Sequence, residues 1–575
     1  MKYRWELAPA QPLLANRLER ELGVSPLLAQ CLVNRGLDDP APAASFLRPR
    51  LKHLADPDRI PNLSRAVERL WRAHDAGEPL VIFGDYDADG VTATALLLQV
   101  MRPLGWTVDP YLPHRLDEGY GLTRDAVANC LQRFPVRLVL AVDCGSTAVE
   151  TIAWLNEQGV DVIVLDHHQV TDPPPAALAL VNPQLGPEGP DGSRELCSAG
   201  LAFKLAHGLV RRGRAQNREA AERFDLKPLL DLVALGTIAD LVPLTGENRM
   251  LVTAGLERLN GRARPGVRAL AEVAAVKGDI RPWEVGFQLA PRLNAAGRLE
   301  DATEALDLLM AEDATRAEGL AHALDARNAE RQNLERGIAD EVIGALRARF
   351  NPAHDFAIVE GQLLWHVGVV GIVASRVLQE FYRPTLILGG DGHEWRGSGR
   401  SIEGFDLAAA LRECDDLLLR HGGHAMAAGL TVRPENVPAL RTRLNELARR
   451  TLRPDQLRPA LRLDAMVNLD ELTEASLAEL DRLQPFGQGN PVIQVVVPGL
   501  SHRRPPQRVG RGQQHAKFWV GDGGTAVEVV WWGGSDKPWP EGRFDLAVVP
   551  QMNEFRGHRR TQLRLLDWRP AAAVS

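Results

Sequence analysis

The chain has 575 residues, of which 45% are hydrophobic and 25% are charged, with a formal net charge of −7 at pH 7. This composition is typical of a soluble globular protein, and the length predicts several domains rather than one oversized core. The acidic balance excludes a basic field over the whole surface, so any contact with nucleic acid must rest on local basic patches.

Cysteine usage and hydropathy indicate where such a chain resides. The five cysteines are widely scattered, at Cys31, Cys130, Cys144, Cys197 and Cys414. This scatter favours a reducing compartment, without a disulfide framework or a thiolate metal site. No signal peptide is visible, and no apolar run reaches the ~20 residues that a membrane helix needs. We therefore expect a cytoplasmic protein that contacts no membrane.

The first half of the chain has the pattern of an α/β domain. Residues 1 to about 75 read as helices broken by Pro-rich turns, and from about 78 to 260 apolar runs alternate with helical stretches. The runs at 79–83, 137–142 and 160–165 consist of Val, Ile and Leu without polar alternation, which is typical of strands buried on both faces. The alternation predicts a doubly wound parallel sheet, in which ligands collect at the carboxyl ends of the strands.

Each of these three runs ends in acidic or imidazole side chains. The segments are "DYDADG" at 85–90, "DCG" at 143–145 and "DHH" at 166–168. Asp85, Asp87 and Asp89 repel one another unless a counter-charge lies nearby. A water-exposed acidic turn would explain one such cluster. Three clusters at one sheet edge favour a cation site, because buried carboxylates must be paired or must bind metal.

A fourth acidic position lies near the end of the same domain. Asp240 stands in the apolar segment "TIADLVPL". Alone it would be interpreted as a helix cap or as a hydrogen-bonded core residue. Because it accompanies the three other clusters, we interpret it as a further ligand.

The second half begins with a Pro-free segment at 300–349, where Leu and Ala recur at helical spacing. This predicts one long or slightly broken helix that joins two lobes, although two packed helices would fit the same pattern. A second α/β lobe follows, with strands around 355–361 and 384–390. From about 490 onward the chain is β-rich and basic, with twelve Lys and Arg against seven Asp and Glu over 495–575.

This C-terminal segment has short strands and Gly-rich turns, which suggest an OB-like barrel. Basic grooves with stacking aromatics are how such barrels hold single strands. The candidate aromatics are Phe518, Trp519, Trp531, Trp532 and Phe555. Strand alternation turns about half of them into the core, so the sequence does not identify which of them face a ligand.

The ordered motifs "DYDADG", "VDCG", "DHH" and "TIADLVPL" resemble those of the DHH phosphoesterases. "GVVGIVASR", "GSGRS" and "HGGHAMAAGL" resemble the associated DHHA1 domain. With "PRLNAAGR", "PFGQGNP" and the basic tail, nearly the whole chain is similar to the RecJ family of bacterial exonucleases. The chain stops at the β-rich domain, so partner contacts made through the additional C-terminal domain of some longer relatives are in doubt.

The resemblance implies an α/β fold: a parallel-sheet DHH domain and a smaller α/β DHHA1 domain joined by a long helix, followed by an OB-like β-barrel. The expected boundaries are an N-terminal helical segment at 1–75, the DHH catalytic domain at 76–299, the connecting helix at 300–350, the substrate-binding DHHA1 domain at 351–455 and the single-strand-binding barrel at 456–575.

The resemblance also implies a single-stranded-DNA-specific exonuclease. It would work from 5′ to 3′, release 5′-mononucleotides by two-metal phosphodiester hydrolysis, and act in DNA repair and recombination. Expected partners are single-stranded DNA with a free 5′ end, single-strand-binding protein and a helicase, and the protein would act as a monomer.

Oxygen-rich ligands with one imidazole suit Mn²⁺ or Mg²⁺ better than Zn²⁺. By the family pattern, one ion would be held by Asp85, Asp87 and Asp143, and the other by Asp89, Asp143, His167 and Asp240. Asp85 could instead act through water. Two such ions activate a water and stabilise the leaving oxygen of an in-line displacement.

Two further side chains of the DHH motif have expected roles. Asp166 would orient the metal-ligating imidazole by a hydrogen bond, without binding the metal itself. His168 would contact the scissile phosphate or protonate the leaving oxygen, unless it is only a structural neighbour.

Contacts with DNA are expected at further positions. A terminal phosphate is read by Arg forks and backbone N–H groups. The candidates are Arg115, Arg298, Ser398 and Arg400 for the 5′ phosphate, His421 and His424 for the strand backbone, and Arg556, Arg559 and Arg560 for phosphates on the barrel. Arg115 could instead pair with the adjacent Asp117 or Glu118, and the two histidines could belong to an ordinary Gly-flexed turn.

Two rival functions remain open at this point. A DHH enzyme that acts on short oligonucleotides or cyclic dinucleotides would need no long helix or basic tail. An inactive DHH scaffold that only binds DNA would have lost ligands, whereas this sequence retains the full set.

Overall fold

The computed structural model describes residues 2–114, 118–119, 121–186, 193–299, 301–390, 392–555 and 558–571. The chain divides into two compact units. Unit 1 comprises residues 1–44, 331–482 and 492–575, and unit 2 comprises residues 45–330 and 483–491. In the described residues no helix is long and apolar enough to cross a membrane.

The N-terminal segment is helical except at its start. Its elements are β1 (Arg4–Leu7), α1 (Pro12–Leu22), α2 (Pro26–Val33) and α3 (Pro40–Leu47). The sequence reading of 1–75 contained no strand. β1 forms because it pairs in parallel with residues 460–463 of the same unit, a long-range contact that four residues of sequence cannot reveal.

Unit 2 contains the predicted parallel sheet. Its first elements are α4 (Leu63–Asp75), β2 (Leu80–Gly84), α5 (Ala88–Met101), β3 (Val108–Tyr111), α6 (Arg124–Arg133), β4 (Leu138–Val142), α7 (Val149–Glu157), β5 (Asp161–Leu165) and β6 (Ala179–Val181). The strand order is β3-β2-β4-β5-β6, and all pairs are parallel. The three predicted strands are therefore confirmed, and they form the centre of the sheet.

Helices complete unit 2. They are α8 (Ser198–Ala215), α9 (Glu219–Arg223), α10 (Leu230–Ala239), α11 (Gly246–Gly261), α12 (Pro265–Val273), α13 (Pro282–Glu284), a π turn (Val285–Leu289), α14 (Ala290–Leu299), α15 (Thr303–Met310) and the first part of α16 (Ala314–Arg349), whose residues from 331 onward belong to unit 1. Nearly all of α5 is buried, because an apolar run without a polar face packs on every side. α16 is one long helix of 36 residues.

The rest of unit 1 begins with a five-stranded sheet of order β10-β11-β9-β8-β7. Its elements are β7 (Ile358–Leu363), α17 (Val370–Phe381), β8 (Thr385–Gly390), β9 (Trp395–Arg400), α18 (Leu407–Arg412), β10 (Leu418–His424), β11 (Ala427–Val432) and α19 (Val437–Thr451). Leu386 and Leu388 of β8 pack with Leu440 and Leu444 of α19 in the core of this lobe.

A closed barrel follows. The chain leads into it through β12 (Ala460–Leu463), which pairs with β1, and through β13 (Ala465–Met466) and α20 (Glu474–Leu480). The barrel strands are β14 (Val495–Val509), β15 (His515–Gly521), β16 (Ala526–Trp531), β17 (Phe544–Phe555) and β18 (His558–Pro570). The order is β14-β15-β16-β18-β17, and β17 pairs back with β14. The predicted α/β class with an OB-like barrel is confirmed.

Candidate metal centre and nucleic-acid interface

The "DYDADG" loop connects β2 to α5 and places three carboxylates at the start of that helix. Asp87 is the N-cap, and its side chain accepts hydrogen bonds from the N–H groups of Asp89 (2.9 Å) and Gly90 (3.2 Å). Gly90 allows the loop to fold back, because a Cβ there would lie 2.6 Å from the Asp85 carbonyl oxygen. Capping and close backbone approach therefore explain why these residues crowd together.

The loops after β4 and β5 bring further ligand-type groups to the same edge. Asp143 follows β4 with a φ of 64°. Asp166 follows β5, and its Oδ1 accepts hydrogen bonds from the His167 N–H (2.8 Å) and from His168 Nδ1 (2.7 Å). Its Oδ2 accepts one from the Ser146 N–H (3.0 Å). Asp166 thus fixes the conformation of the "DHH" loop and the orientation of the His168 ring.

The candidate ligands meet around His167. Its Nε2 lies 3.5 Å from Asp143 Oδ1, 3.5 Å from Asp240 Oδ2 and 3.9 Å from Asp89 Oδ2. A second group, formed by Asp85, Asp87 and Asp143, has carboxylate oxygens within 4.8 Å of one another. Asp143 therefore adjoins both groups, as the family pattern implies for a shared ligand.

Burial makes this cluster electrostatically unfavourable without a cation. Asp89 and Asp143 are 1% and 3% exposed. Burial, followed by repulsion from neighbouring aspartates, raises the pKa of Asp143 well above its ordinary value and that of Asp240 to about 9. Burial also raises the pKa of Asp89 and lowers that of His167.

Two atoms at the centre of the cluster are orphaned. His167 Nε2 and Asp240 Oδ2 are buried and have no hydrogen-bond partner. Buried polar atoms are normally paired. A neutral imidazole nitrogen and a carboxylate oxygen without partners, close to the carboxylates of Asp89 and Asp143, fit a divalent cation with oxygen-rich coordination.

His168 has a different environment from His167. Its hydrogen bond to Asp166 raises the pKa of His168 to about 9, and about half of its side chain is exposed. Burial would raise the pKa of Asp166, but hydrogen bonds from His168 and Ser146 and the His168 charge hold that pKa below its ordinary range. The arrangement presents a protonated imidazole to solvent beside the carboxylates.

Helix α8 holds two of the candidate ligands, which the sequence reading did not anticipate. The N–H groups of Ser198 and Ala199 donate to Asp89 Oδ2 (2.7 Å) and Oδ1 (2.9 Å). The Ser198 hydroxyl donates to Asp143 Oδ1 (2.8 Å). A helix N-terminus favours a carboxylate. The only signal in the sequence was a Ser at the start of a helix, which is too common to identify this role.

The "PRLNAAGR" motif, on α14, holds the metal-binding loop from another side. Asn294 Oδ1 accepts a hydrogen bond from the Ala88 N–H (2.7 Å). Gly297 packs so closely on the loop that a Cβ would lie 2.7 Å from the Tyr86 carbonyl oxygen. Arg298, a candidate phosphate ligand, directly follows Gly297 in the sequence and therefore lies next to a residue that packs on the "DYDADG" loop.

The "PFGQGNP" motif belongs to unit 2 and supports the loop after Asp240. The Leu244 N–H donates to the Gln488 carbonyl (2.7 Å). Gly489 has a φ of 71°, and a Cβ there would lie 2.8 Å from Pro243 Cβ. The motif therefore fixes the backbone that carries one candidate ligand.

A buried arginine anchors this motif. Arg249 is 2% exposed. Its guanidinium donates to the carbonyls of Leu483 (2.9 Å), Gln484 (2.6 Å) and Phe46 (2.8 Å). One side chain thus satisfies backbone acceptors from two distant segments of unit 2.

A separate candidate site lies in unit 1, on β9 and α17. Arg400 Nη1 donates to the Ser398 hydroxyl (3.0 Å) and to the Gly399 carbonyl (2.8 Å). Gly371, in the first turn of α17, lies beside them, because a Cβ there would be 2.9 Å from Ser398 Oγ and 3.1 Å from Arg400 Nη2. Burial lowers the pKa of Arg400, which forms no ion pair with any described residue. A half-buried cation beside a hydroxyl and a helix N-terminus fits an anion.

The two predicted histidines of the same lobe lie on β10 rather than on a flexible turn. His421 Nε2 lies 3.1 Å from Asp415 Oδ1, and His424 is exposed. Residues 421–424 pair regularly with 427–430, so the glycines between the histidines serve strand pairing.

Of the basic candidates on the barrel, Arg559 is exposed and Arg560 is half-buried. Arg559 lies 3.1 Å from Glu554, and Arg560 lies 3.5 Å from Glu528 and 5.9 Å from the centre of the Trp519 ring. Arg115 and Arg556 lie outside the described residues.

The aromatic candidates on the barrel differ in how far their side chains are exposed. Phe518 and Trp531 are buried, Trp519 is half-buried, and Trp532 is exposed. The Phe555 side chain lies outside the described residues. Of these five candidates, Trp519 and Trp532 are therefore the ones whose described side chains reach the surface.

Sequence profiles of known families match three segments. The DHH family N-terminal domain matches residues 79–237, the DHHA1 domain matches 354–450, and the RecJ OB domain matches 463–567. Together these matches include the candidate metal ligands except Asp240, which lies three residues beyond the first match, and they include the Ser398–Arg400 site and most of the barrel.

Similar proteins cover the whole chain. The single-stranded-DNA-specific exonuclease RecJ of Bacillus subtilis is 38% identical over 100% of this chain and 71% of its own length. The Escherichia coli protein of the same name is 35% identical over 94% of this chain and 95% of its own length. The crystal structure of RecJ from Thermus thermophilus in complex with Mn²⁺ has a TM-score of 0.85, is 33% identical, and is matched over 100% of this chain and 80% of that one.

Proposed function

Because this chain belongs to the RecJ family, we propose that it degrades single-stranded DNA by metal-dependent hydrolysis of phosphodiester bonds. It is an exodeoxyribonuclease of the DHH phosphoesterase class. One observation carries the proposal. Carboxylate oxygens of Asp143, Asp240 and Asp89 lie within 3.9 Å of His167 Nε2, and His167 Nε2 and Asp240 Oδ2 are buried without hydrogen-bond partners. Such a centre suits hydrolysis and does not explain mere binding to DNA.

The residues present fit Mn²⁺ or Mg²⁺, and we assign two ion positions. Asp85, Asp87 and Asp143 would hold one ion, and Asp89, Asp143, His167 and Asp240 the other. A bound pair of ions supplies an activated water and stabilises the leaving oxygen. Ser198 and Asn294 keep the carboxylates in place by the hydrogen bonds described above.

Asp166 and His168 would handle the proton of the leaving group. The Asp166 carboxylate fixes the imidazole through Nδ1, so the ring's Nε2 is left to donate toward the scissile phosphate or the leaving oxygen. The partial exposure of His168 supports a role toward substrate rather than toward the core.

The 5′ polarity would arise from recognition of the terminal phosphate. Ser398 and Arg400 of unit 1 are proposed to bind it. Arg115 and Arg298, which belong to unit 2, are proposed as further contacts of the DNA phosphates. His421 and His424 would contact the strand backbone, and Arg556, Arg559 and Arg560 would contact phosphates on the barrel. Successive cleavage from this end releases 5′-mononucleotides.

The proposed domain boundaries are those expected from the sequence, and each family match lies inside one of them. We further propose that the enzyme acts as a monomer in the cytoplasm, on strands with a free 5′ end. Single-strand-binding protein and a helicase would supply such strands during DNA repair and recombination.

Digestion of strands labelled at either end tests this function. The strand should be much longer than the ~4–16 nucleotides that one OB fold covers. In Mn²⁺ or Mg²⁺ the 5′ label should appear first as a mononucleotide, while EDTA or a duplex substrate should give no product. Release of the 3′ label first would overturn the polarity, and equal rates on a dinucleotide would favour a short-oligonucleotide phosphodiesterase.

A further inference from the structure

An exposed aromatic pair precedes the "PRLNAAGR" helix in unit 2. Trp283 is 56% exposed and Phe287 is 69% exposed. Their rings are stacked, with centroids 5.6 Å apart and planes inclined by 27°. Exposed apolar side chains that lie together mark interaction surfaces more often than scattered ones do.

The helix places this pair in line with the metal-binding loop. Trp283, Phe287, Pro291 and Arg298 are separated by four, four and seven residues, which are one and two helical turns. On the other side of the helix, Val285, Leu289 and Leu293 are buried. The stripe, exposed at Trp283 and Phe287 and half-buried at Pro291 and Arg298, therefore runs toward Arg298, beside which Gly297 and Asn294 contact the "DYDADG" loop.

Two features of the sequence around the pair suit a nucleic-acid strand. Lys277 and Arg281 precede it and are exposed, and neither forms an ion pair with a described residue. A π turn spans Val285–Leu289, around Phe287, and such turns are frequent at functional sites. Cations that accompany exposed aromatics are the combination by which proteins hold single strands without sequence preference.

We propose that Trp283 and Phe287 form a stacking platform for nucleobases of the bound DNA strand, beside the metal centre. The platform would extend the substrate site along the helix stripe by about two helical turns, or ~10 Å from Asn294 at 1.5 Å per residue. This inference rests on the proposed function, because it takes the same DNA strand as its ligand. It adds a base-contacting surface in unit 2 that is independent of the barrel.

Fluorescence of 2-aminopurine tests the platform. The base is placed at successive positions of a 5′-phosphorylated single strand, which is bound to the full-length protein in EDTA to prevent hydrolysis. The variant Trp283→Leu/Phe287→Leu keeps apolar side chains but removes both rings. The matched control, Trp283→Phe/Phe287→Tyr, keeps two aromatic rings, and circular dichroism verifies that all proteins are folded.

The wild type and the control should quench the probe at one or two adjacent positions, and the leucine variant should lose that quenching. The leucine variant should also bind the strand about 10-fold more weakly, in the lower part of the range for losing a base stack. Unchanged quenching and affinity in the leucine variant would overturn the platform. A wild-type protein that fails to digest the same strand in Mn²⁺ would instead overturn the proposed function.

Discussion

The carboxyl edge of the parallel sheet and the surface of the barrel handle charge in opposite ways. At the sheet edge, Asp89 and Asp143 are buried and are held by directed hydrogen bonds from Ser198 and its neighbour. On the barrel, Arg559 and Arg560 are accessible and make long or exposed ion pairs. Chemistry needs fixed groups, whereas holding a polymer needs only enough charge along its path. Single substitutions should therefore be severe at the first region and mild at the second.

The largest effect should come from Asp143→Ala, which removes the carboxylate that adjoins both ligand groups. Hydrolysis should fall by more than the about 10–100-fold that loss of an outer partner of a metal ligand costs. The measurement is the initial rate on single-stranded DNA in saturating Mn²⁺. Asp109→Ala, at an exposed position of β3 in the same sheet, is the control and should retain activity. Near-normal turnover of Asp143→Ala would contradict the shared-ligand assignment.

Arg249→Met should damage the sheet edge indirectly. It removes the guanidinium donor from the carbonyls of Leu483, Gln484 and Phe46. The Leu483 carbonyl keeps its hydrogen bond from Asn490 (2.8 Å), and each buried acceptor that does become unpaired costs about 1–3 kcal/mol. Because the freed segment supports the loop after Asp240, Mn²⁺ binding by calorimetry should also weaken about 10-fold. Arg258→Met, at an exposed position of α11, should change neither quantity. A lower melting temperature with unchanged Mn²⁺ affinity would show that the motif is only a structural brace.

Arg400→Ala tests whether loss of a half-buried cation is severe, as expected at the sheet edge, or mild, as expected on the barrel. It should reduce the preference for 5′-phosphate over 5′-hydroxyl ends by about 10-fold, the loss of ~1.4 kcal/mol from a charge-assisted contact. The effect should appear in KM more than in kcat. Arg449→Ala, which removes one exposed charge from α19 of the same unit, should preserve the preference. If both variants discriminate like the wild type, the phosphate is read elsewhere.

The buried carboxylates should also make the metal-free protein sensitive to pH. Asp240 has a pKa of about 9 in the folded chain, compared with an ordinary 3.8. A raised pKa contributes stability that is present at low pH and is lost as pH rises toward the folded value. The Tm of the metal-free protein should therefore fall between about pH 5 and pH 9.

Asp240→Asn removes this source of instability. At pH 8 the metal-free variant should melt above the wild type by about 1–2 °C for each kcal/mol recovered, because the entropy of unfolding is about 2.1 cal/mol/K per residue and Asp240 lies in a large unit. Asp109→Asn should have no such effect. Mn²⁺ should raise the wild-type Tm by mass action, and a pH-independent Tm in EDTA would contradict the burial argument.

The two regions also differ in how far sequence could predict them. The strands before Asp85, Asp143 and Asp166 are uniformly apolar, so their ends meet at one edge for topological reasons. The residues that directly follow each apolar strand are therefore enough to locate such a site from the sequence. The groups that hold it are different: Ser198, Asn294 and Arg249 act through long-range hydrogen bonds, which no local pattern contains.

The barrel shows a second limit. Its strands are irregular, with register shifts between His502 and Gln507 of β14, so alternation along the sequence does not fix which aromatic faces outward. Trp531 and Trp532 are adjacent, and one is buried and the other exposed; alternation requires that one of the two faces the core, but it does not say which one. The platform at Trp283 was invisible for the same reason, because an exposed aromatic cannot be distinguished from a core residue by its type.

The smallest effect should come from Arg560→Gln on the barrel. Arg560 lies 5.9 Å from the centre of the Trp519 ring and 3.5 Å from Glu528. Glu528 also forms an ion pair with Lys517, at 2.6 Å. Removing this charge leaves Lys517 in place, so Kd for single-stranded DNA should rise only a few-fold. Because one phosphate contact accounts for about 0.7 in the slope of log Kobs against log salt for single strands, the slope should become shallower by about that amount. Binding across a salt series measures both quantities, with Arg449→Gln as a charge-matched control. A loss comparable to that of Arg400→Ala would mean that the barrel, like the sheet edge, contains a fixed site rather than a diffuse track.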